Sequence, residues 1–140
     1  MPFIKLNYTV SGEDFTRAGE ASGNVKRTLK KLGFDPGVIR RVSVAMYEGE
    51  INMAIHGGGG TAKVEIAPEA VKIALEDEGP GIPDLEMAMR EGYSTACEKI
   101  RRLGFGAGMG LPNMKKHSDE MKVETSQGNG TKIHMTINNL

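Results

Sequence analysis

Apolar and polar residues alternate at the start of the chain. Ile4, Leu6, Tyr8 and Val10 fall on one side, Lys5, Asn7 and Thr9 on the other. That period of two predicts a strand over 3–10 with one wet face. Ser11, followed three residues later by Asp14, reads as a helix start, and the helix is expected to run to about Leu32, where Gly33 stops it. Asp35-Pro36 is a second start, a capping carboxylate followed by proline in the first turn. Val38, Ile39, Val42, Ala45, Met46, Ile51 and Ile55 recur at helical spacing, and this second helix is expected to end at His56, ahead of Gly57 to Gly60. Strands over 61–67 and 70–76 follow, with Pro68-Glu69 at the turn. The run DEGPGIPD, from Asp77 to Asp84, breaks the pattern. A short helix over 84–91, a glycine-rich loop and a helix from about 108 to 117 come next. Two last strands, near 120–126 and 131–137, flank the turn Gln127-Gly128-Asn129-Gly130. Hairpins and helices are segregated, so the expected fold is α+β: a two-layer sandwich of a mostly antiparallel sheet with helices on one face. The length of 140 residues suits one domain spanning 1–140, and no internal repeat divides it.

Composition narrows the function classes. Lys plus Arg and Asp plus Glu both number 18, so the chain lacks the basic surplus of a protein that tracks nucleic acid, and no nucleic-acid partner is expected. Aromatics are 5% with no Trp, which argues against stacking platforms for bases or sugars. The single Cys97 excludes a disulfide framework within one chain and a cysteine-cluster metal site. No stretch approaches the length of a membrane span and the N-terminus lacks a leader pattern, so the expected location is cytoplasmic, without a membrane partner. Glycine is the outlier: 19 residues, nearly twice the usual share of ~7%, so its placement matters.

Three clusters collect the glycines and acids. Glu48, Asn52 and His56 are each four apart and share one face of the second helix. Asn is a poor helix former, so its use mid-helix suggests a specific acceptor role; a merely solvated polar edge is the alternative. Asp77-Glu78-Gly79-Pro80-Gly81-Ile82 directly follows a strand. A carboxylate there can accept from an amino group such as that of adenine, and the glycines let the backbone approach a flat ligand; a plain turn is the alternative. Gly104-Phe105-Gly106-Ala107-Gly108-Met109-Gly110-Leu111 opens a helix with alternate glycines. Bare N–H groups at a helix N-terminus can cradle phosphates, although such a run also suits a hinge. It is neither a Walker loop, lacking G-K-[ST], nor a dinucleotide turn, lacking a preceding strand.

The conjunction is more specific than any part. E-x-x-x-N on a helix, D-x-G-x-G after a strand and G-x-G-x-G before a helix occur in that order. This resembles the GHKL family of ATP-binding domains, which includes DNA gyrase, a heat-shock chaperone class, histidine kinases and the MutL mismatch-repair proteins. The helix motif continuing to His56-Gly57, the run Gly92-Tyr93-Ser94-Thr95, the run Gly108-Met109-Gly110-Leu111 and the final Gly130-Thr131 narrow it. Together they look like the bacterial anti-sigma-factor serine kinases, and GFGAGMGLPNMKK is similar to the switch-kinase branch that phosphorylates STAS-domain proteins in stress-signalling complexes.

The resemblance implies roles. Glu48 would be the general base and Asn52 would hold Mg²⁺. Asp77 would accept from the adenine amino group, with Gly79, Gly81 and Ile82 against the base and Thr131 supporting it. Gly106, Ala107, Gly108, Met109, Gly110 and Leu111 would wrap the phosphates. ATP and Mg²⁺ are the expected cofactors. One departure matters: many anti-sigma kinases carry Arg where this chain has Gly106, and Lys115, Lys116, Arg101, Arg102 or a partner's cation would have to replace it. His56 either faces the phosphates or meets the C-terminal helix dipole. Met87, Met89 and Met109 read as packing, Cys97 as a bystander thiol, and Lys26, Arg27, Lys30 and Lys31 as a solvated face or a docking patch.

The expected function is therefore an ATP-dependent protein-serine/threonine kinase of the anti-sigma regulatory type, with a STAS-domain anti-anti-sigma or stressosome-type protein as substrate. A sigma factor, a phosphatase and a second copy in a homodimer are further partner candidates. Two rivals stand beside it: a nucleotide-gated anti-sigma or partner-binding module with little kinase activity, and a stand-alone histidine-kinase-like ATPase domain. The second is weakened by Glu48, where histidine kinases often carry Asn.

Overall fold

The computed structural model describes residues 4–11, 19–56, 59–77, 110–125 and 130–139. Five strands carry the described chain: β1 (Ile4–Ser11), β2 (Gly59–Ala67), β3 (Ala70–Asp77), β4 (Glu120–Thr125) and β5 (Thr131–Asn138). They form one antiparallel sheet in the order β1-β2-β3-β5-β4. Three helices are described, α1 (Glu20–Lys31), α2 (Pro36–His56) and α3 (Gly110–His117). The α+β architecture is as the hydrophobic pattern predicts. The short helix expected over 84–91 lies outside the described residues.

Register makes the inner face of the sheet a set of rows. Ile66, Val71 and Ile137 align in one, and Leu6, Val64, Ile73, Met135 and Met121 in the next. Tyr8, Ala62, Leu75, Ile133 and Val123 make the third. These residues are buried or pack against the core, and full burial of each large side chain contributes roughly 1.5–3 kcal/mol. The fourth row, Val10, Gly60, Asp77, Thr131 and Thr125, turns polar from Asp77 onward. The outer face carries Lys5, Glu65, Lys72 and their like, solvated as period two requires.

Helix ends follow local chemistry. The Asp35 carboxylate accepts from the Gly37 N–H at 2.9 Å, so the expected cap of α2 is present. Gly33 adopts φ 79°, and the Phe34 N–H reaches back to the Leu29 carbonyl, closing α1 where glycine stops it. The start of α1 differs from expectation. The described helix begins at Glu20, because Gly19 at φ 104° is in the left-handed region and cannot continue a helix from Asp14.

Gly19 supplies no side chain, so the cap comes from afar. The Glu50 carboxylate, in the middle of α2, accepts from the N–H groups of Gly19 at 2.9 Å, Ala21 at 3.3 Å and Ser22 at 2.7 Å. Those are donors that a helix start leaves orphaned, and the carboxylate also meets the positive end of the dipole. Glu50 is 2% exposed and belongs to the buried stripe of α2. Past Met46 that stripe runs through Gly49, Glu50, Met53 and Ala54. Ile51, expected in it, is only half-buried, and the side chain of Ile55 lies outside the described ones. The 3.6-residue period carries burial from Met46 to positions 49, 50 and 53 whatever residues stand there.

Gly49 is needed for space. A Cβ there would lie 2.1 Å from Leu75 Cδ1 and 3.4 Å from Met114 Sδ, so α2 sits close to both β3 and α3. That approach fixes where the rest of α2 lies over the sheet.

Candidate active site

Chain connectivity gathers the candidate residues at one end of the sheet. Helix α2 ends at His56, and β2 begins three residues later at Gly59. Gly60 pairs with Asp77, so the C-terminal end of α2 returns to the end of β3 that carries Asp77. Thr131, the first residue of β5, pairs with Asp77 from the other side. Helix α3 lies antiparallel to α2: Asn113 meets Glu48, Met114 approaches Gly49, and the turn after α3 is tied by Asp119 to Arg41. The N-terminus of α3, at Gly110, therefore points to the same end as Asp77. Pro112 in its first turn suits a helix start, since an N–H there has no helical partner to lose.

Asp77 is buried, 8% exposed, and its Oδ1 accepts from the Thr131 N–H at 3.2 Å. Thr131 and Thr125 share a hydroxyl hydrogen bond at 3.0 Å, and the Thr125 hydroxyl also donates to the Gly130 carbonyl at 3.2 Å. The polar row is thus held in place by its own sheet neighbours. A fixed carboxylate at a strand end can receive an amino group without reorganising.

Glu48 and Asn52 are half-buried, one turn apart on α2. Burial pushes the Glu48 carboxyl above the usual carboxylate range, while the Asn113 amide and the nearby His117 pull it down. The Asn113 Nδ2–H donates to Glu48 Oε1 at 3.5 Å, the long end of hydrogen-bond range. His117 Nδ1 lies 2.9 Å from the Asn113 carbonyl, which can only accept, so this nitrogen carries the proton. A half-buried carboxylate with a raised pKa is poised for proton transfer, and perturbed groups of this kind cluster at functional sites.

The structure brings Glu48, Asn52, Asp77, Thr131, Gly110 and Leu111 to one end of the fold. Gly79, Gly81, Ile82, Gly106, Ala107, Gly108 and Met109 lie outside the described residues, as do Cys97, Arg101, Arg102 and the run from Gly92 to Thr95. His56 closes α2, with its side chain outside the described ones. Lys115 and Lys116 occupy the last turn of α3, about 8 to 9 Å along the axis from Gly110, where they complement the helix dipole.

The profile of the histidine kinase-, DNA gyrase B- and HSP90-like ATPases matches residues 37–139. The chain belongs to that family. It is 33% identical to the serine/threonine-protein kinase RsbT of Bacillus subtilis over 124 residues, covering 86% of this chain and 85% of that one. It is 37% identical to an anti-sigma F factor of a Thermoanaerobacter species over 103 residues, covering 70% of this chain and 68% of the other. These relatives mark an ATPase-family chain of the anti-sigma regulatory kinase type. Two solved structures share the fold. The RsbU and RsbW domains of a Mycobacterium tuberculosis protein match with a TM-score of 0.65 at 17% identity, over 96% of this chain and 31% of that one. A mycobacterial sensor histidine kinase, MprB, matches with a TM-score of 0.53 at 18% identity, over 96% and 97%. The chain spans about a third of the first of these structures. Among the described residues, no helix is long and apolar enough to cross a membrane.

Sequence reasoning passed over Asn113 and Glu50. Glu50 had a signal: it lies four residues after Met46 and three before Met53, in phase with the apolar stripe. Asn113 had none, because its importance comes from the antiparallel packing of α3 on α2.

Proposed function

We propose that this chain transfers the γ-phosphoryl group of ATP to a serine or threonine hydroxyl of a STAS-domain antagonist protein. The observation that carries the reading is the convergence at one sheet end of the Asp77–Thr131 row, the Glu48–Asn52 face of α2 and the N-terminus of α3. In this reading Asp77 accepts from the adenine amino group, and Thr131 holds the carboxylate oriented. The α3 N-terminus offers N–H groups from Gly110 and Leu111 to phosphate oxygens, which the dipole favours. By the family resemblance, Gly106, Ala107, Gly108 and Met109 would extend that lining, and Gly79, Gly81 and Ile82 would contact the base.

The chemistry needs positioning and charge neutralisation more than covalent help. The hydroxyl oxygen bonds to the γ-phosphorus, the bond to the bridging oxygen breaks, and ADP leaves with the electron pair. Glu48 takes the hydroxyl proton. Asn52, half-buried one turn from Glu48, offers a carboxamide oxygen of the hard, neutral kind that would hold Mg²⁺ beside the phosphates. When bound, the ion neutralises charge on the phosphates. A sigma factor is a second protein that the same surface could engage, in keeping with the anti-sigma relatives.

The test is to incubate the protein with γ-labelled ATP and a STAS-domain protein encoded beside it. Acid-stable label on serine or threonine is expected. Nucleotide bound without transfer would replace the kinase by a nucleotide-gated binding module, and acid-labile label would indicate histidine chemistry.

A further inference from the structure

The Asn113 side chain of α3 reaches Glu48 on α2. We propose that Asn113 is a positioning residue for Glu48: its amide N–H holds Oε1 of the carboxylate and leaves Oε2 to receive the hydroxyl proton. The inference rests on the reading of Glu48 as general base. The geometry begins with antiparallel packing, which sets Asn113 opposite Glu48 while Met114 fills the space beside Gly49. Both Glu48 and Asn113 are half-buried, so the contact is partly shielded from water. The contact of 3.5 Å suits a resting site, since catalytic hydrogen bonds are often long before substrate binds and tighten in the reacting complex.

The amide is suited to this role. It can donate but has no basicity, so it orients the carboxylate without competing for the proton. Its own backbone is steadied one turn further on, where His117 Nδ1–H donates to the Asn113 carbonyl at 2.9 Å. His117, on α3, lies close enough to Glu48 to lower its pKa. Glu50, on α2 itself, is engaged with the start of α1, and Asp77, on β3, with Thr131 of β5. Lys115 and Lys116 are exposed on the last turn of α3.

Two variants of the full-length protein separate orientation from packing. Asn113→Leu keeps the number and branching of the side-chain heavy atoms and removes the donor. Asn113→Asp keeps the shape and turns the donor into an acceptor. Transfer of label from γ-labelled ATP to the STAS-domain protein is measured against pH, with ATP affinity measured by calorimetry. The expected result is a fall in kcat of about 10- to 100-fold with ATP affinity within about twofold of the parent. The acidic limb of the rate profile should move to higher pH in the order parent, Leu, Asp, since Glu48 must be ionised to act and loses first a donor and then gains a like charge. Carbon-13 NMR titration of the Glu48 carboxyl gives a readout independent of turnover, and its midpoint should rise in the same order. A midpoint unchanged in both variants would overturn the proposal, as would parental kcat and pH profile. Transfer that survives Glu48→Gln would instead sink the reading of Glu48 as base. A shifted midpoint would then still show the contact, but the positioning role would be overturned with that reading.

Discussion

Helix α2 turns one glutamate toward α1 and another toward α3, and the two faces treat their carboxylates differently. Glu50 is fully buried and accepts from three backbone N–H groups at the start of α1. Glu48, two residues earlier, is half-buried, meets Asn113 at 3.5 Å, and has its pKa raised by burial. A carboxylate saturated by main-chain donors joins elements together. A carboxylate taken partly out of water with weak compensation is kept ready to accept a proton, at some expense of stability. Proximity in sequence thus says little about role; the neighbouring helix decides it.

The comparison breaks first at Glu50. Glu50→Leu leaves the orphaned donors of α1 facing an apolar side chain, and stability should fall by about 3 kcal/mol. Thermal denaturation should show Tm lower by roughly 10 °C. An unchanged Tm would mean that the cap contributes nothing. Next comes Asp77. Asp77→Asn should weaken ATP binding by about 10- to 100-fold in calorimetry, because an amide presents one acceptor oxygen where the carboxylate presents two and carries no charge. Full affinity in that variant would remove the adenine role.

Glu48 should behave in the opposite sense to Glu50 on stability. Its folded-state pKa lies above its unfolded value, so the ionised form is disfavoured by folding above that pKa, and this penalty disappears as pH falls below the unfolded value. Glu48→Gln should therefore raise Tm slightly at neutral pH, with the gain vanishing in acid. A clear loss of stability would argue that Glu48 is structural, as Glu50 is.

The smallest effect belongs to Asp119, at the far end of α3. The Asn138 N–H at 2.7 Å, and then Arg41 at 2.8 Å, hold its carboxyl below the usual range. Its contribution is present above the unfolded pKa and lost as pH falls through the lowered folded one. Both side chains are about a third exposed, so Asp119→Asn should cost no more than about 1 kcal/mol at neutral pH. That gap should close on acidification.

Much of this was legible in the sequence because it is periodic. The strand alternation at Ile4, Leu6, Tyr8 and Val10, the Asp35-Pro36 start and the Gly33 stop all depend on residues within one turn of each other. The candidate residues Glu48, Asn52, Asp77 and Thr131 were legible as motifs, and the fold brings them to one end. What was not legible depends on packing across long separations. Glu50 caps a helix about thirty positions away, which no local pattern encodes. Asn113 is 65 positions from Glu48, and only the antiparallel pairing of α3 with α2 makes them neighbours. The start of α1 differs from the local pattern for the same reason: Ser11 and Asp14 offer a local cap, but Gly19 turns the backbone left-handed and the effective cap arrives from α2.

The most direct test of the division between the two glutamates is label transfer by Glu48→Gln from γ-labelled ATP to the STAS-domain protein at saturating nucleotide. A folded variant that binds ATP like the parent and transfers label about 10²- to 10⁴-fold more slowly is the predicted result. Transfer at the parental rate would contradict the account, because the proton would then leave by a route that does not use Glu48.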